Sequence, residues 1–487
     1  MTLRNKGIAA MKWSSIAAVT ITVSQLLQFV LVSRILGPAD YGLIGMITAI
    51  LYISIGFCDL GFANAIIQRQ QISDEHLSSL YILNLIISGV VCVAVWLLAP
   101  WIAAFYHEPQ LVGLLHWMAF ICFIPAIGQQ FQVLFQKELN FDVTSKADMA
   151  ANVISFVVAV AFAYAGFGVF ALAWSFLANL LAKSAIMVVL GLRIWKPSLH
   201  FAWSDVKSYV SFGIYQTGTS VINMVNARLD YLILGSSLGA EALGYYMFAC
   251  QLCQIPLQKL NPMVFQVTLP IFAKIQTQVE LLRKGYMQML GMISYVSAPI
   301  FFGIIVTAPA FVPLVFGEQW EPSILIIQIL SLVMFLQGVT TSASLLAAIG
   351  QVDVTFRFTV ISTLIQFPAM ALGAFADGAI GMTVAYLLVR VGLYFFHYSY
   401  IIRRILGPCL RRYIAGVLEG TLYSAAMAAG VFLADRYLKF HSQPVRLSVL
   451  VCGGVLAYAA ILYGFKRELF HRMIKNRLPN RELRKSA

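Results

Sequence analysis

From Trp13 almost to Phe465 the chain is a succession of apolar runs, each about as long as a membrane is thick, parted by short polar or turn-forming breaks. A helix rises 1.5 Å per residue, so about 20 residues cross a hydrocarbon core of about 30 Å. Counting runs between breaks predicts about 14 spans and leaves no room for a water-soluble domain. An even number of spans returns both termini to one side. The first run follows Arg4 and Lys6 as a signal peptide would, but Ser, Thr and Gln punctuate it and no clear cleavage site follows. It reads as an uncleaved, somewhat amphipathic first helix.

The pattern also repeats. In "RILGPADYGLIG" (34–45) Leu36, Gly37 and Gly42 align with Leu238, Gly239 and Gly244 of "NARLDYLILGSSLGAEALG" (226–244), at an offset of 202. "FDVT" (141–144) returns as "VDVT" (352–355) at an offset of 211. Pro109 and Pro322 precede similar apolar runs, and the turn "GFGVFALA" (166–173) resembles "GAIGMTVA" (378–385), both at offsets near 213. Several weak matches in register over most of a chain indicate an internal duplication. The offset spans an even number of helices, so the halves face the same way. Parallel repeats of this kind predict two six-helix bundles about an axis along the membrane normal, with a cavity between them and alternating access by rocking. The expected division is 1–207 for the first bundle, 208–404 for the second, 405–465 for two appended spans, and 466–487 for a basic tail.

Composition agrees with the pattern: 60% of residues are hydrophobic and 11% charged, against about 45–50% and about 25% in soluble proteins. Charge adds a direction. With the N-terminus placed in the cytoplasm, 25 of the 33 Lys and Arg fall on that side and 4 on the other. This positive-inside asymmetry predicts cytoplasmic termini. It accounts for the net charge of +13 without nucleic acid, and places the tail against anionic inner-leaflet lipids.

Four cations remain within spans: Lys183, Arg228, Lys259 and Arg390. Each costs about 2.5–3.5 kcal/mol at mid-bilayer unless water, protein or ligand meets it. Arg390, near the middle of its span, reads as cavity-facing rather than structural. Lys259 lies between Pro256 and Pro262, where a bend is expected. Lys183, about two turns from the cytoplasmic end, either snorkels or lines the cavity. Arg228 and Asp230 are two residues apart, hence on different helix faces, and do not simply neutralise each other. Asp230 is either a structural ion-pair partner or the seat of a coupling ion. An excess of positive charge suits an anionic substrate such as a diphosphate headgroup.

The remaining features read as packing. Glu419 is placed at the interface, His116 and His397 are packed polar residues, and the seven cysteines, with Cys250 and Cys253 in a CxxC, lack the partners a zinc site needs. No Ser-His-Asp arrangement, Walker loop or metal spacing is present in the sequence, so neither a cofactor nor an enzyme is expected.

Several stretches resemble a known family: "YGLIGM" (41–46), "DLGFANAIIQR" (59–69), "GQQFQVLFQKELNF" (128–141), "KLNP" (259–262), "PIFAKIQ" (270–276), "FVPLVFGEQW" (311–320) and "GAIGMT" (378–383). They are similar, in order and over nearly the whole chain, to the Wzx-type polysaccharide exporters, most of all to the colanic-acid-type flippases. These belong to the multidrug/oligosaccharidyl-lipid/polysaccharide exporter superfamily. The resemblance implies an all-α polytopic membrane protein of 14 helices, with two pseudo-symmetric six-helix bundles in a V and two extra C-terminal helices. It further implies transfer of undecaprenyl-diphosphate-linked oligosaccharide from the inner to the outer leaflet of a bacterial inner membrane. Polysaccharide polymerase and chain-length machinery are candidate partners. Gln129, Gln130, Asn261 and Pro262 fall in the family's stretches, as does Lys259, and Lys183 resembles a cationic position of the same helix. Arg228, Asp230 and Arg390 match no charge of the family, and their expected roles rest on physics alone. The rival readings are a lipid II flippase, which shares the need for a cationic cavity, and a membrane-embedded polymerase or glycosyltransferase, for which the outer breaks are short. A drug exporter calls for buried acids instead.

Overall fold

The computed structural model describes residues 3–58, 66, 72–438, 440 and 442–465, among which there is no strand. The basic tail 466–487 and most of the 59–69 stretch lie outside these residues. The helices are α1 (Leu3–Ile35), α2 (Pro38–Cys58), α3 (Asp74–Tyr106), α4 (Leu111–Met118), α5 (Phe120–Lys137), α6 (Phe141–Tyr164), α7 (Val169–Gly191) and α8 (Trp203–Lys274). They continue with α9 (Val279–Phe316), α10 (Ser323–Val339), α11 (Ala343–Ala348), α12 (Val352–His397), α13 (Arg403–Leu406), α14 (Leu410–Tyr437) and α15 (Gln443–Phe465).

Eleven helical stretches among the described residues are long and apolar enough to cross a membrane, so the chain is an all-α, multi-pass membrane protein. Two helices carry internal breaks. The 72-residue α8 leaves helical geometry at Gly239 (φ 80°, ψ −174°), inside the "LGAEALG" stretch where a turn is expected. The 46-residue α12 does so at Asp377 and Gly378. A count of about 14 spans requires dividing both at these points, and α8 is not among the eleven. Between Pro256 and Pro262, beside Lys259, α8 keeps helical dihedrals.

Two compact units divide the chain, 1–247 and 248–487. In the first, α6 packs along α1 and α7, while α5 lies against α7 and α3. The polar residues that punctuate α1 find partners in this packing: Ser14 bonds Ser145 at 3.0 Å, Gln25 donates to Asn152 at 3.3 Å, and Gln28 donates to Ser175 at 3.4 Å. In a bilayer such side chains have no water to turn to, so they join helices to one another. In the second unit α9 packs against α10, α14 and α15, and α10 against α12.

The duplication is visible in the backbone. A methyl group on Gly42 would overlap the carbonyl oxygen of Ala240, and one on Gly244 would overlap that of Pro38. Adding 202 to Pro38 and Gly42 gives Ala240 and Gly244, so each contact is the image of the other, made by backbones that only glycine lets so close. Leu139 (φ 60°) before α6 corresponds to Gly350 (φ 75°) before α12, at the offset of 211. Gly168 (φ 55°, ψ −134°) and Gly378 (φ 56°, ψ −140°) share an unusual conformation at an offset of 210. The structure therefore pairs Gly378 with Gly168, two residues from the Gly166 that the sequence alignment offers, because the left-handed turn and not the first glycine marks the equivalent position.

Candidate functional site

Arg228 and Asp230 sit in the first limb of α8, within the first unit. The Arg228 guanidinium lies 4.4 Å from the ring centroid of Tyr52 on α2 and 4.8 Å from that of Tyr231. Its Nε is buried without a hydrogen-bond partner. Aromatic faces attract a cation electrostatically, more strongly where water is scarce, and Tyr52 also hydrogen-bonds the guanidinium. Asp230 turns elsewhere: its Oδ2 accepts from the Tyr246 hydroxyl at 3.0 Å, and its Oδ1 accepts from the Tyr231 amide at 3.0 Å. The different faces inferred from a spacing of two are what the structure contains.

Lys183 on α7 forms an ion pair with Asp148 on α6, Nζ to Oδ1 2.8 Å. Both side chains are about a third exposed, at 29% and 35%. Arg390, in the second unit, has no carboxylate partner among the described residues. Its Nη2 donates to the Tyr386 hydroxyl at 2.9 Å, its guanidinium lies 5.0 Å from the Tyr386 ring centroid, and its Nε is buried without a hydrogen-bond partner. Tyr386 is one turn back on the same helix, so Arg390 is oriented without being neutralised. Lys259 is exposed on the second limb of α8, as are Asn261 and Pro262. Gln130 is buried and donates to the Leu77 carbonyl at 2.7 Å, tying α5 to α3, while Gln129 is half-buried beside it. The two glutamines thus stand in a helix-to-helix joint.

Asp148, Tyr52, Tyr231, Tyr246 and Tyr386 went unnoticed in the sequence. Asp148 carried a weak signal, an acid in a run otherwise leading into a span; the tyrosines carried none, because an aromatic at helical spacing is ordinary membrane packing. A polar knot outside the spans was also missed. Asp205, in the first turn of α8, accepts from Ser79 at 2.9 Å and contacts His200 at 3.2 Å and His76 at 3.8 Å, fastening the start of α8 to the start of α3. Partial burial opposes its ionisation, yet hydrogen bonds from Ser79 and His200 with the nearby His76 hold its carboxyl below the ordinary value.

Other expected non-sites behave as packing. His397 is buried between the Tyr413 and Ser342 hydroxyls, His116 stacks on Trp96, and the Cys253 thiol meets Ser331 and the Ile327 carbonyl. Glu419 accepts a 2.5 Å bond from the Tyr295 hydroxyl on α9. Among the described residues no group of three His, Cys, Asp or Glu is placed to hold a metal ion.

Residues 31–325 match the family described as "Polysaccharide biosynthesis protein". The lipopolysaccharide biosynthesis protein WzxC of Escherichia coli (strain K12) is 34% identical over 85% of this chain and 84% of its own length. The teichuronic acid biosynthesis protein TuaB of Bacillus subtilis (strain 168) is 30% identical over 93% of this chain and 94% of its own. Among solved structures, lipid II flippase MurJ in an inward closed conformation superposes with a TM-score of 0.76 at 12% identity, covering 94% of this chain and 99% of MurJ. At that identity the likeness establishes the fold.

Proposed function

The chain belongs to the polysaccharide biosynthesis protein family, and from that premise we propose that it is a flippase carrying undecaprenyl-diphosphate-linked oligosaccharide units across a bacterial inner membrane, by alternating access, for exopolysaccharide, capsule or O-antigen assembly. Its termini are cytoplasmic on the cation distribution of the sequence, with the basic tail against anionic inner-leaflet lipids, and polymerase and chain-length proteins receive its product. The protein transports; it is not the enzyme that builds or joins the sugar units.

The observation that carries this reading is Arg390: a guanidinium in a membrane span, oriented by Tyr386, with no acid to neutralise it. A charge at that depth persists where water, protein or a ligand meets it, and one without an acid beside it suits an anionic ligand. Guanidinium nitrogens present donors in a planar fork that matches a phosphate edge, so a diphosphate passing Arg390 gains two charge-assisted hydrogen bonds. Arg228, held against two rings with its Nε unpartnered, offers a second such station, and Lys259 a third. Lys183 is a weaker candidate because Asp148 already meets it. Asp230, bonded to Tyr246, acts as a structural anchor or as a coupling site. A drug-exporting cavity calls for the opposite sign of charge. The fold likeness to MurJ leaves a lipid II flippase as the alternative, and WzxC and TuaB, named for polysaccharide assembly over most of this chain, favour the glycan.

Deleting the gene and analysing lipid-linked intermediates tests the function. Accumulation of an undecaprenyl-diphosphate-linked oligosaccharide facing the cytoplasm, with loss of surface polymer, is expected. Accumulation of peptidoglycan precursor instead means a lipid II flippase, and no accumulation of either overturns the proposal.

A further inference from the structure

The turn that joins α12 to α14 carries four arginines within ten residues: Arg403 and Arg404 on α13, and Arg411 and Arg412 in the first turn of α14. All four are exposed. Between them Gly407 adopts φ 76°, and the turn is pinned from beneath by Arg283, whose Nε donates to the Leu406 carbonyl at 2.6 Å. The Cys409 amide is spent on the Tyr398 hydroxyl at 2.9 Å. The scaffold is therefore fixed while the four guanidinium groups are free of carboxylates. Arg404 has a contact with the Tyr400 ring at 4.7 Å, and none of the four forms an ion pair among the described residues.

Elsewhere the same chain supplies acids to several of its interfacial cations. Lys146 has Asp142, Arg357 has Asp353, and Arg283 has Glu280, each three or four residues away. To the four arginines of this turn it supplies none among the described residues. Arg411 and Arg412 also stand at the positive end of a 28-residue helix whose first turn holds no acid and whose N-cap makes no side-chain bond. Two cations there repel both the helix dipole and each other, a conflict that an external anion reverses. Exposed apolar residues lead up to the turn along both helices: Leu388, Val391 and Phe395 on α12, and Leu418 and Leu422 on α14. A basic cluster capping lipid-facing apolar stripes has the form of a phospholipid: acyl chains along the helices, phosphate at the guanidinium groups.

We propose that Arg403, Arg404, Arg411 and Arg412 form a binding site for an anionic lipid headgroup with two phosphates at the membrane face of this turn. Four guanidinium groups suit a ligand with two phosphates. Cardiolipin and undecaprenyl diphosphate share that chemistry, and the proposal stands whether or not the export reading does.

The full-length protein, purified in detergent, is titrated with cardiolipin, with undecaprenyl diphosphate and with phosphatidylethanolamine, and bound lipid is read by native mass spectrometry. Arg411→Gln/Arg412→Gln and, independently, Arg403→Gln/Arg404→Gln are each expected to weaken the diphosphate-bearing ligand about tenfold or more, with phosphatidylethanolamine unaffected. Arg193→Gln/Lys196→Gln removes the same charge from an exposed stretch of the other unit and leaves binding unchanged. Dependence on the turn arginines for cardiolipin identifies bulk phospholipid as the occupant, and for undecaprenyl diphosphate alone, the carrier lipid. Equal losses from the turn and control pairs, which mean that net charge alone attracts lipid, overturn the site, and so does unchanged binding in both turn variants.

Discussion

Lys183 on α7 and Arg390 on the second limb of α12 lie on corresponding helices of the duplicated fold, yet they are treated differently. With Gly168 and Gly378 as equivalent starting points, Lys183 corresponds to Leu393 and Arg390 to Leu180, so the two cations stand about one turn apart. Lys183 is met by Asp148 from the adjacent helix, whereas the position corresponding to Asp148, at the offset of 211, is Thr359, whose hydroxyl bonds the Thr355 carbonyl of its own helix. The backbone is repeated and the charge is not. A cation neutralised inside its own bundle is part of the architecture, and a cation left without an acid is available to a moving anion. Arg228 shows the same asymmetry, its counterpart at the offset of 202 being Leu26.

The largest expected effect breaks the duplication itself. Gly42→Val and Gly244→Val each drive a side chain into a carbonyl of the opposing backbone, and each costs about 3 kcal/mol or more, because no rotamer change relieves a backbone clash. Protein abundance in membranes and thermal unfolding in detergent should fall alike for the two, while Gly37→Ala, with nothing within 4 Å, is tolerated. Unequal effects of the paired substitutions break the symmetry argued from the offset of 202.

A smaller effect concerns the ion pair. Asp148→Leu strands Lys183 and is expected to cost about 1–2 kcal/mol, the lower part of the range for a broken pair because both groups are about a third exposed. Adding Lys183→Met should recover most of it in a double-mutant cycle by thermal unfolding. No recovery means that the lysine is held by something other than Asp148.

The smallest effect compares the equivalent left-handed residues. Gly350→Leu should cost about 1 kcal/mol, since a branched side chain is strained at φ 75°. Leu139→Gly should change stability by less than about 0.5 kcal/mol, because relief of strain is offset by the greater freedom of glycine in the unfolded chain.

Much of this fold is legible in the order of apolar runs, since a hydrocarbon slab imposes one length on every crossing helix. The 202 offset was readable because Gly42 and Gly244 are required by a backbone approach that admits nothing larger. The equivalent of Gly378 was misplaced by two residues because Gly166 and Gly168 flank one turn and only the dihedral angles tell them apart. Of the site, the cations were legible as misfits in apolar surroundings. Their partners were not: Asp148 reads as an interfacial acid and Tyr386 as packing, and what each does is set by tertiary proximity.

The central claim is that the unneutralised cation, and not the neutralised one, meets the substrate. It is tested most directly by measuring surface polymer in a deletion strain carrying either Arg390→Gln or the doubly neutral Asp148→Leu/Lys183→Met, at matched protein abundance. Loss of surface polymer with Arg390→Gln, and export near the unaltered level with the double variant, is the predicted result. Normal export with Arg390→Gln, or an equal loss with the double variant, contradicts it.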